Sequence, residues 1–246
     1  MRNGFLKAEQ LFLKTAEANN DKSGSCAIVV IISGSKCYIA NTGDSRVIMS
    51  SNKGKMVIQL SKDHKPNEVL EKTRILANGG SIYSQHKNIY RIAPGTLSVS
   101  RTFGDLQAKV PKYGGKENVV IANPDIVKFN IESFHDFLII GSDGLFDKLR
   151  NQEIVKVAWD SKLCAKGITR HKMAGRIINS ILESAIYNKS TDNITAIIIC
   201  FEGLFGNECI QGKARLHKLP GSNRIKRVQS THNKSNKMKL LDKSVF

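Results

Sequence analysis

Three aspartates stand where a strand ends or begins beside turn residues: Asp44 in Thr42-Gly43-Asp44, Asp143 in Gly141-Ser142-Asp143-Gly144, and Asp192 in Thr191-Asp192-Asn193. Carboxylates brought together on loops at one rim of a rigid sheet repel each other unless a cation or a proton neutralises them. Hard oxygen donors without His or Cys favour magnesium or manganese over zinc. Taken singly, each aspartate is also accounted for by its turn, where the side chain bonds nearby backbone. Only the joint pattern points to a metal.

Positioning three loops at one rim requires sheets, and the sequence supplies short strands. β-rich runs at 26–32, 36–40 and 45–49 are separated by Ser33-Gly34-Ser35 and Asn41-Thr42-Gly43-Asp44, which predicts an antiparallel meander. Further strands are expected around 90–92, 97–100, 119–122 and 126–130. Residues 137–140 form a fully apolar strand candidate, and 194–201 the last strand. Helical spacing of Phe5, Leu6, Leu11, Phe12, Leu13 and Ala16 predicts an opening amphipathic helix. A second helix follows Lys65-Pro66 and stops at Asn78-Gly79-Gly80, and a long one shows its face through Met173, Ile177, Ile181 and Ala185. Runs of strands with helices between them predict an α+β fold: two antiparallel sheets in a sandwich flanked by helices.

The 246 residues and 41% apolar content suit one compact domain, expected over 1–202. No apolar run is long enough to span a membrane, and the N-terminus lacks a secretory pattern, so a monomer in the cytoplasm or nucleus is expected. The five cysteines, Cys26, Cys37, Cys164, Cys200 and Cys209, show no paired spacing and read as reduced thiols. Of the net charge of +17, much lies in residues 203–246, where ten Lys and Arg face only Glu208 and Asp242. That composition predicts a disordered basic tail, with nucleic acid or acidic surfaces as alternative partners.

The aspartates belong to a longer series of motifs. In chain order these are Gly24-Ser25-Cys26, Ala40-Asn41-Thr42-Gly43-Asp44-Ser45-Arg46, Asp63-His64-Lys65-Pro66, Ala77-Asn78-Gly79-Gly80, and Leu97-Ser98-Val99-Ser100-Arg101-Thr102-Phe103-Gly104-Asp105. Asn123-Pro124-Asp125, the run from Asp136 to Asp147 containing Gly141-Ser142-Asp143-Gly144, and Ser190-Thr191-Asp192-Asn193 complete it. The series resembles the PPM-type, or type 2C, metal-dependent protein serine/threonine phosphatases. The resemblance implies a PPM-type sandwich with a two-metal site for Mg2+ or Mn2+ in a cleft at one end, and phosphoprotein substrates. Asp143 and Asp192 would hold one metal; Asp63 and Asp147, with Asp143, look like ligands of a weaker third, while Asp44 shapes its turn. The chemistry implied is attack on phosphorus by a water that the cations make acidic, without a covalent enzyme intermediate.

The family's Asp-Gly-His-Gly-Gly run, which carries the shared metal ligand and an acid, has no counterpart here. The domain is therefore expected to be N-terminally incomplete, with an unpaired sheet edge, exposed apolar surface and impaired turnover. A pseudophosphatase that binds phosphoproteins without turnover is the alternative. His64 is a candidate replacement acid or a structural residue, and Asp105 has the same ambiguity. Cys164 and Arg170 have the Cys-x5-Arg spacing of thiol phosphatases, but no buried strand precedes Cys164.

Overall fold

The computed structural model describes residues 1–86, 89–163 and 167–205. Helix α1 (Arg2–Asn19) is followed by the short β1 (Gly24–Ser25) and a meander of β2 (Ala27–Ser33), β3 (Lys36–Thr42), β4 (Arg46–Ser51) and β5 (Met56–Gln59). Helix α2 (Val69–Ala77) precedes a hairpin of β6 (Ser81–His86) and β7 (Ile89–Ala93), then β8 (Phe103–Gly104) and the one-turn α3 (Leu106–Lys109). Strands β9 (Asp125–Asn130) and β10 (His135–Gly141) lead to the one-turn α4 (Asp143–Phe146). Helices α5 (Asn151–Leu163) and α6 (Arg170–Tyr187), strand β11 (Ala196–Cys200) and α7 (Glu202–Phe205) follow.

Two antiparallel sheets form, one ordered β11-β10-β4-β5 and the other β2-β3-β9. Alternation along each strand decides what each face meets. Cys37 and Ile39 of β3, Val47 and Met49 of β4 and Leu138 of β10 turn toward one another and share a core with Phe201. Their neighbours Ile48, Phe137 and Ile139 point the other way, onto Ile154, Val155 and Ala158 of α5 and Ile177, Ile181 and Ala185 of α6. The sandwich with flanking helices predicted from the sequence is thus present. Leu204 and Phe205 of α7 are buried in the second core, so the packed chain continues past position 202.

Helix α1 forms as its apolar spacing predicts and ends at Asn20, whose left-handed φ of 52° lets the Asp21 N–H reach the Ala16 carbonyl. The face it buries differs from the predicted one: Phe5, Glu9 and Ala16 are inside, whereas Leu6, Leu11 and Phe12 are exposed. Glu9 is there because Lys109 Nζ donates to it at 2.5 Å and the Gly104 N–H at 2.9 Å. No spacing rule anticipates a partner 100 residues away.

The strands predicted at 97–100 and 119–122 do not form; only isolated bridges, Ile92 to Leu97 and Arg101 to Ile121, occur there. Their apolar residues Val99, Val119 and Val120 are buried, so the runs signalled core rather than ladder. Side chains hold this segment instead. Glu71 of α2, 2% exposed, accepts from Arg101 and Arg74 at 2.6 Å each and from Ser100 Oγ at 2.5 Å, and Arg101 also reaches Asp125 Oδ1 at 2.8 Å.

Strand β2 pairs only with β3 among the described residues, and the outward residues Val29, Ile31 and Ile126 of its sheet are exposed. This is the open edge and apolar surface expected of an incomplete sandwich. No helix among the described residues is long and apolar enough to cross a membrane.

Burial works to raise the pKa of Glu71, but the hydrogen bonds from Arg101, Ser100 and Arg74 outweigh it and lower it from the ordinary 4.5 to about 2. A depressed carboxylate stabilises the fold above its unfolded pKa, and that contribution is lost as pH falls toward the folded value. Glu71→Gln should therefore lower the melting temperature at pH 7 and flatten the loss of stability between about pH 4.5 and pH 2. Melting curves against pH, equal for the two proteins throughout, would remove the network from the account.

Candidate active site

The rim of the four-stranded sheet gathers its aspartates through backbone contacts. β10 ends at Gly141, paired with Ala196 of β11 on one side and Arg46 of β4 on the other. Asp44, Asp143 and Asp192 therefore sit in the loops at one end of three adjacent strands. The loops at 142–144 and 190–195 are clamped together. The Ser142 N–H donates to Thr195 O and the Thr195 N–H to Ser142 Oγ, both at 3.1 Å, while Ser190 Oγ donates to Gly144 O at 2.7 Å. Glycine is required at 144, because a Cβ there would stand 2.3 Å from Asn193 O and 3.4 Å from the Asp192 Cβ. Asp147 follows one helical turn after Asp143, its N–H donating to Asp143 O at 2.8 Å.

Electrostatics report the crowding. Burial, followed by the charges of Asp44, Asp192 and Asp147, pushes the Asp143 carboxyl above its ordinary value against a hydrogen bond from the Gly144 N–H. The Cys26 thiol, 3.4 Å from Asp44 Oδ1, is pushed up to about 12 by burial and then by the Asp44 charge. It is a poor nucleophile at neutral pH.

The acids sort by whether a cation already holds them. Lys65 Nζ donates to Asp44 Oδ2, and Arg46 grips Asp63 through Nε to Oδ1 at 3.0 Å and Nη2 to Oδ2 at 2.6 Å. Asp143, Asp147 and Asp192 have no ion pair among the described residues. Of the four predicted ligands, Asp147 and Asp192 lie near enough to Asp143 for their charges to raise its pKa, but no three His, Cys, Asp or Glu side chains among the described residues form a group that could hold a metal ion, and both oxygens of Asp63 are occupied by Arg46. Asp44, expected to shape its turn, instead meets Cys26 and Lys65 through its two carboxylate oxygens and adds its charge to the cluster. The sequence offered no sign that Arg46 and Lys65 would select these partners, beyond their places in the same two motifs.

His64 is 1% exposed, and its Nδ1 accepts from the Gly43 N–H at 3.0 Å. The ring proton then lies on Nε2, 3.2 Å from Asp125 Oδ2. Both nitrogens are committed, so the imidazole braces the Gly43 turn and is not a replacement acid. Asp105 has a left-handed φ of 61° and packs against Gly24, and its carboxyl is raised by burial. Cys164 of the Cys-x5-Arg spacing lies outside the described residues. Beside the cluster opens a cleft of about 400 Å³ lined by Lys65, Asn67, Tyr90, Arg91, Ser98, Asp143 and Asp147.

A two-sheet α+β sandwich with aspartates in the loops at one rim of its four-stranded sheet defines the class. The protein phosphatase 2C family profile matches residues 1–194, and the chain belongs to that family. It is 32% identical to Protein phosphatase 1A of Homo sapiens over 227 residues, covering 89% of this chain and 55% of that protein. It is 33% identical to the Probable protein phosphatase 2C 27 of Arabidopsis thaliana over 201 residues, covering 82% of this chain and 48% of that one. The chain thus spans about half the length of these curated relatives. The fold is shared with the crystal structure of serine-threonine phosphatase 2C from Toxoplasma gondii, at a TM-score of 0.66 and 24% identity, over 80% of this chain and 65% of that chain.

A carboxylate whose folded pKa is raised costs stability as pH rises through that value. Asp143→Asn keeps the Oδ1 acceptor for the Gly144 N–H and removes the charge. In the metal-free chain it should raise the melting temperature at pH 7, with the gain shrinking below the ordinary carboxylate range. An unchanged melting temperature at pH 7 would show that the cluster is not under repulsion.

Proposed function

We propose that this chain is the metal-binding and substrate-facing part of a Mg2+- or Mn2+-dependent protein serine/threonine phosphatase. The observation that supports this reading is that the charges of Asp192 and Asp147 bear on Asp143, and that among the described residues none of the three has an ion pair, whereas Asp44 and Asp63 each have one. An all-oxygen set that leaves room for coordinated water suits magnesium or manganese and disfavours zinc. Among the described residues no three His, Cys, Asp or Glu side chains already converge about one point, so a cation here would rest on a pair of carboxylates with water completing its shell.

In this reading Asp143 and Asp192 would hold one cation, and Asp147, with Asp143, would contribute to the weaker third site. Asp63 joins only if Arg46 releases it. A bound divalent ion supplies positive charge to the phosphoryl oxygens and makes an attacking water acidic near neutral pH. The chain's own contribution is positional. The Ser142–Thr195 and Ser190–Gly144 bonds fix the two loops, and Lys65 restrains Asp44 at the cleft wall. No group among the described residues replaces the acid of the Asp-Gly-His-Gly-Gly run, since His64 is committed to Gly43 and Asp125.

The isolated chain should therefore bind Mn2+ weakly and turn over phosphoserine peptides poorly, whereas a chain extended by an in-frame Asp-Gly-His-Gly-Gly segment should turn them over in a metal-dependent way. Titration calorimetry with Mn2+ should show binding that Asp143→Asn and Asp192→Asn each reduce by about tenfold or more. Metal binding that both variants leave intact would refute the site. An extended chain that binds phosphoprotein without hydrolysing it would establish the pseudophosphatase reading in its place.

A further inference from the structure

The turn between β4 and β5 lies at the end of β4 away from the aspartates. Arg46, the first residue of β4, pairs with Gly141 at the aspartate rim, and the turn begins after Ser51, six residues and roughly 17 Å along the strand. Asn52, Lys53 and Gly54 take left-handed φ values of 55°, 59° and 79° there. The buried Asp136 of β10 holds the turn, accepting from the Lys53 and Gly54 N–H groups at 3.2 and 3.0 Å. Asp136 also accepts from Ser50 Oγ at 2.8 Å, and Ser50 Oγ in turn accepts from Trp159 Nε1 of α5 at 3.2 Å. Gly54 lies directly against the indole, since a Cβ on it would stand 2.6 Å from Trp159 Cδ1. The turn and α5 are thus locked together, and beside them opens a groove of about 400 Å³.

Lys53, Lys55 and Lys156 line this groove, and Lys162 Nζ stands 4.8 Å from the centroid of the Trp159 ring. Among the described residues Lys53, Lys55 and Lys162 have no ion pair; Lys156 has one, with Asp160, the groove's single acid. Both members of that pair are exposed, so water already screens it and a ligand carboxylate displaces Asp160 at small cost. Val57 and Val155 supply apolar surface between the lysines. We propose that this groove docks an acidic segment of a partner protein, with Glu or Asp side chains among the lysines and one apolar side chain against Val57 and Val155. Charge complementarity selects that occupant, because ammonium groups on flexible stems follow carboxylates spaced along an extended chain. Trp159 is not a platform for a nucleic-acid base, since Gly54 and Lys162 already occupy its ring. The assignment goes beyond the phosphatase reading and does not rest on it.

Trp159 is the chain's one tryptophan, so its emission reports on this groove. The test titrates the full chain with a Glu-rich peptide that carries one Leu and no aromatic residue, and with a twin that has Gln in place of each Glu. The acidic peptide should change the Trp159 emission saturably, and the twin should not. Replacing the three exposed lysines together, Lys53→Gln, Lys55→Gln and Lys156→Gln, should weaken binding by about tenfold or more at an unchanged melting temperature. Lys237→Gln, Lys239→Gln and Lys243→Gln together remove the same charge from residues 203–246 and should change the affinity by less than about threefold. An emission that does not respond to the acidic peptide, an equal response to the twin, or wild-type affinity in the groove variant each overturns the proposal. So does a loss confined to the variant at 237, 239 and 243, which places the binding elsewhere. Oligothymidylate that displaces the acidic peptide and binds more tightly, with the same loss in the groove variant, marks a nucleic-acid site and overturns it as well. If the triple groove variant melts lower, Lys55→Gln alone decides: it should lose roughly twofold or more, and wild-type affinity in it overturns the assignment.

Discussion

The site depends on one steric fact: the backbones of Gly144 and Asn193 touch. With 2.3 Å between the place of a Gly144 Cβ and the Asn193 carbonyl oxygen, the loops bearing Asp143 and Asp192 cannot separate without breaking the hydrogen bonds that clamp them. The side chains themselves would push the loops apart. Two unit charges roughly 6 Å apart repel by about 3 kcal/mol at an effective dielectric constant near 20. Burying one Ile or Phe contributes about 1.5–3 kcal/mol, so a few residues of the sandwich core offset each repulsive pair. Phe137, Ile139, Ile177 and Ile181 are fully buried in the core between this sheet and its helices.

Much of this was legible in the sequence because the signals were local. Strands β2, β3, β4 and β10 announced themselves by β-branched runs ending in Gly, Asn and Asp, and Asp143 and Asp192 by their places at strand ends. The family motifs then supplied what spacing could not, namely that these loops share a rim. The sequence was less informative wherever a partner lay far along the chain. The apolar runs at 97–100 and 119–122 looked like strands, yet they are core-filling segments held by Glu71, Arg101 and Ser100. Glu9 on the buried face of α1 makes sense only with Lys109 opposite it. Asp63 looked equivalent to Asp147 in sequence, and only the guanidinium of Arg46 separates them.

Asp63, His64 and Lys65 show why motif membership alone does not assign chemistry. Three adjacent residues point in three directions and meet three environments. Asp63 meets Arg46, which also lies over the Phe146 ring at 4.8 Å; His64 is sealed between Gly43 and Asp125; Lys65 reaches the cleft and restrains Asp44. Each pairing removes one charged or polar group from the chemistry the cleft can perform. Among the described residues Asp143, Asp147 and Asp192 are left without an ion pair, and Asp143 and Asp147 line the cleft. Carboxylates left in this way by a fold that satisfies its other charged groups internally repel one another until a cation or a proton neutralises them. The bare outer face of β2 and β9, with Val29, Ile31 and Ile126 exposed, lies on the other sheet, so the internal pairing that shapes the cleft does not depend on what covers that surface.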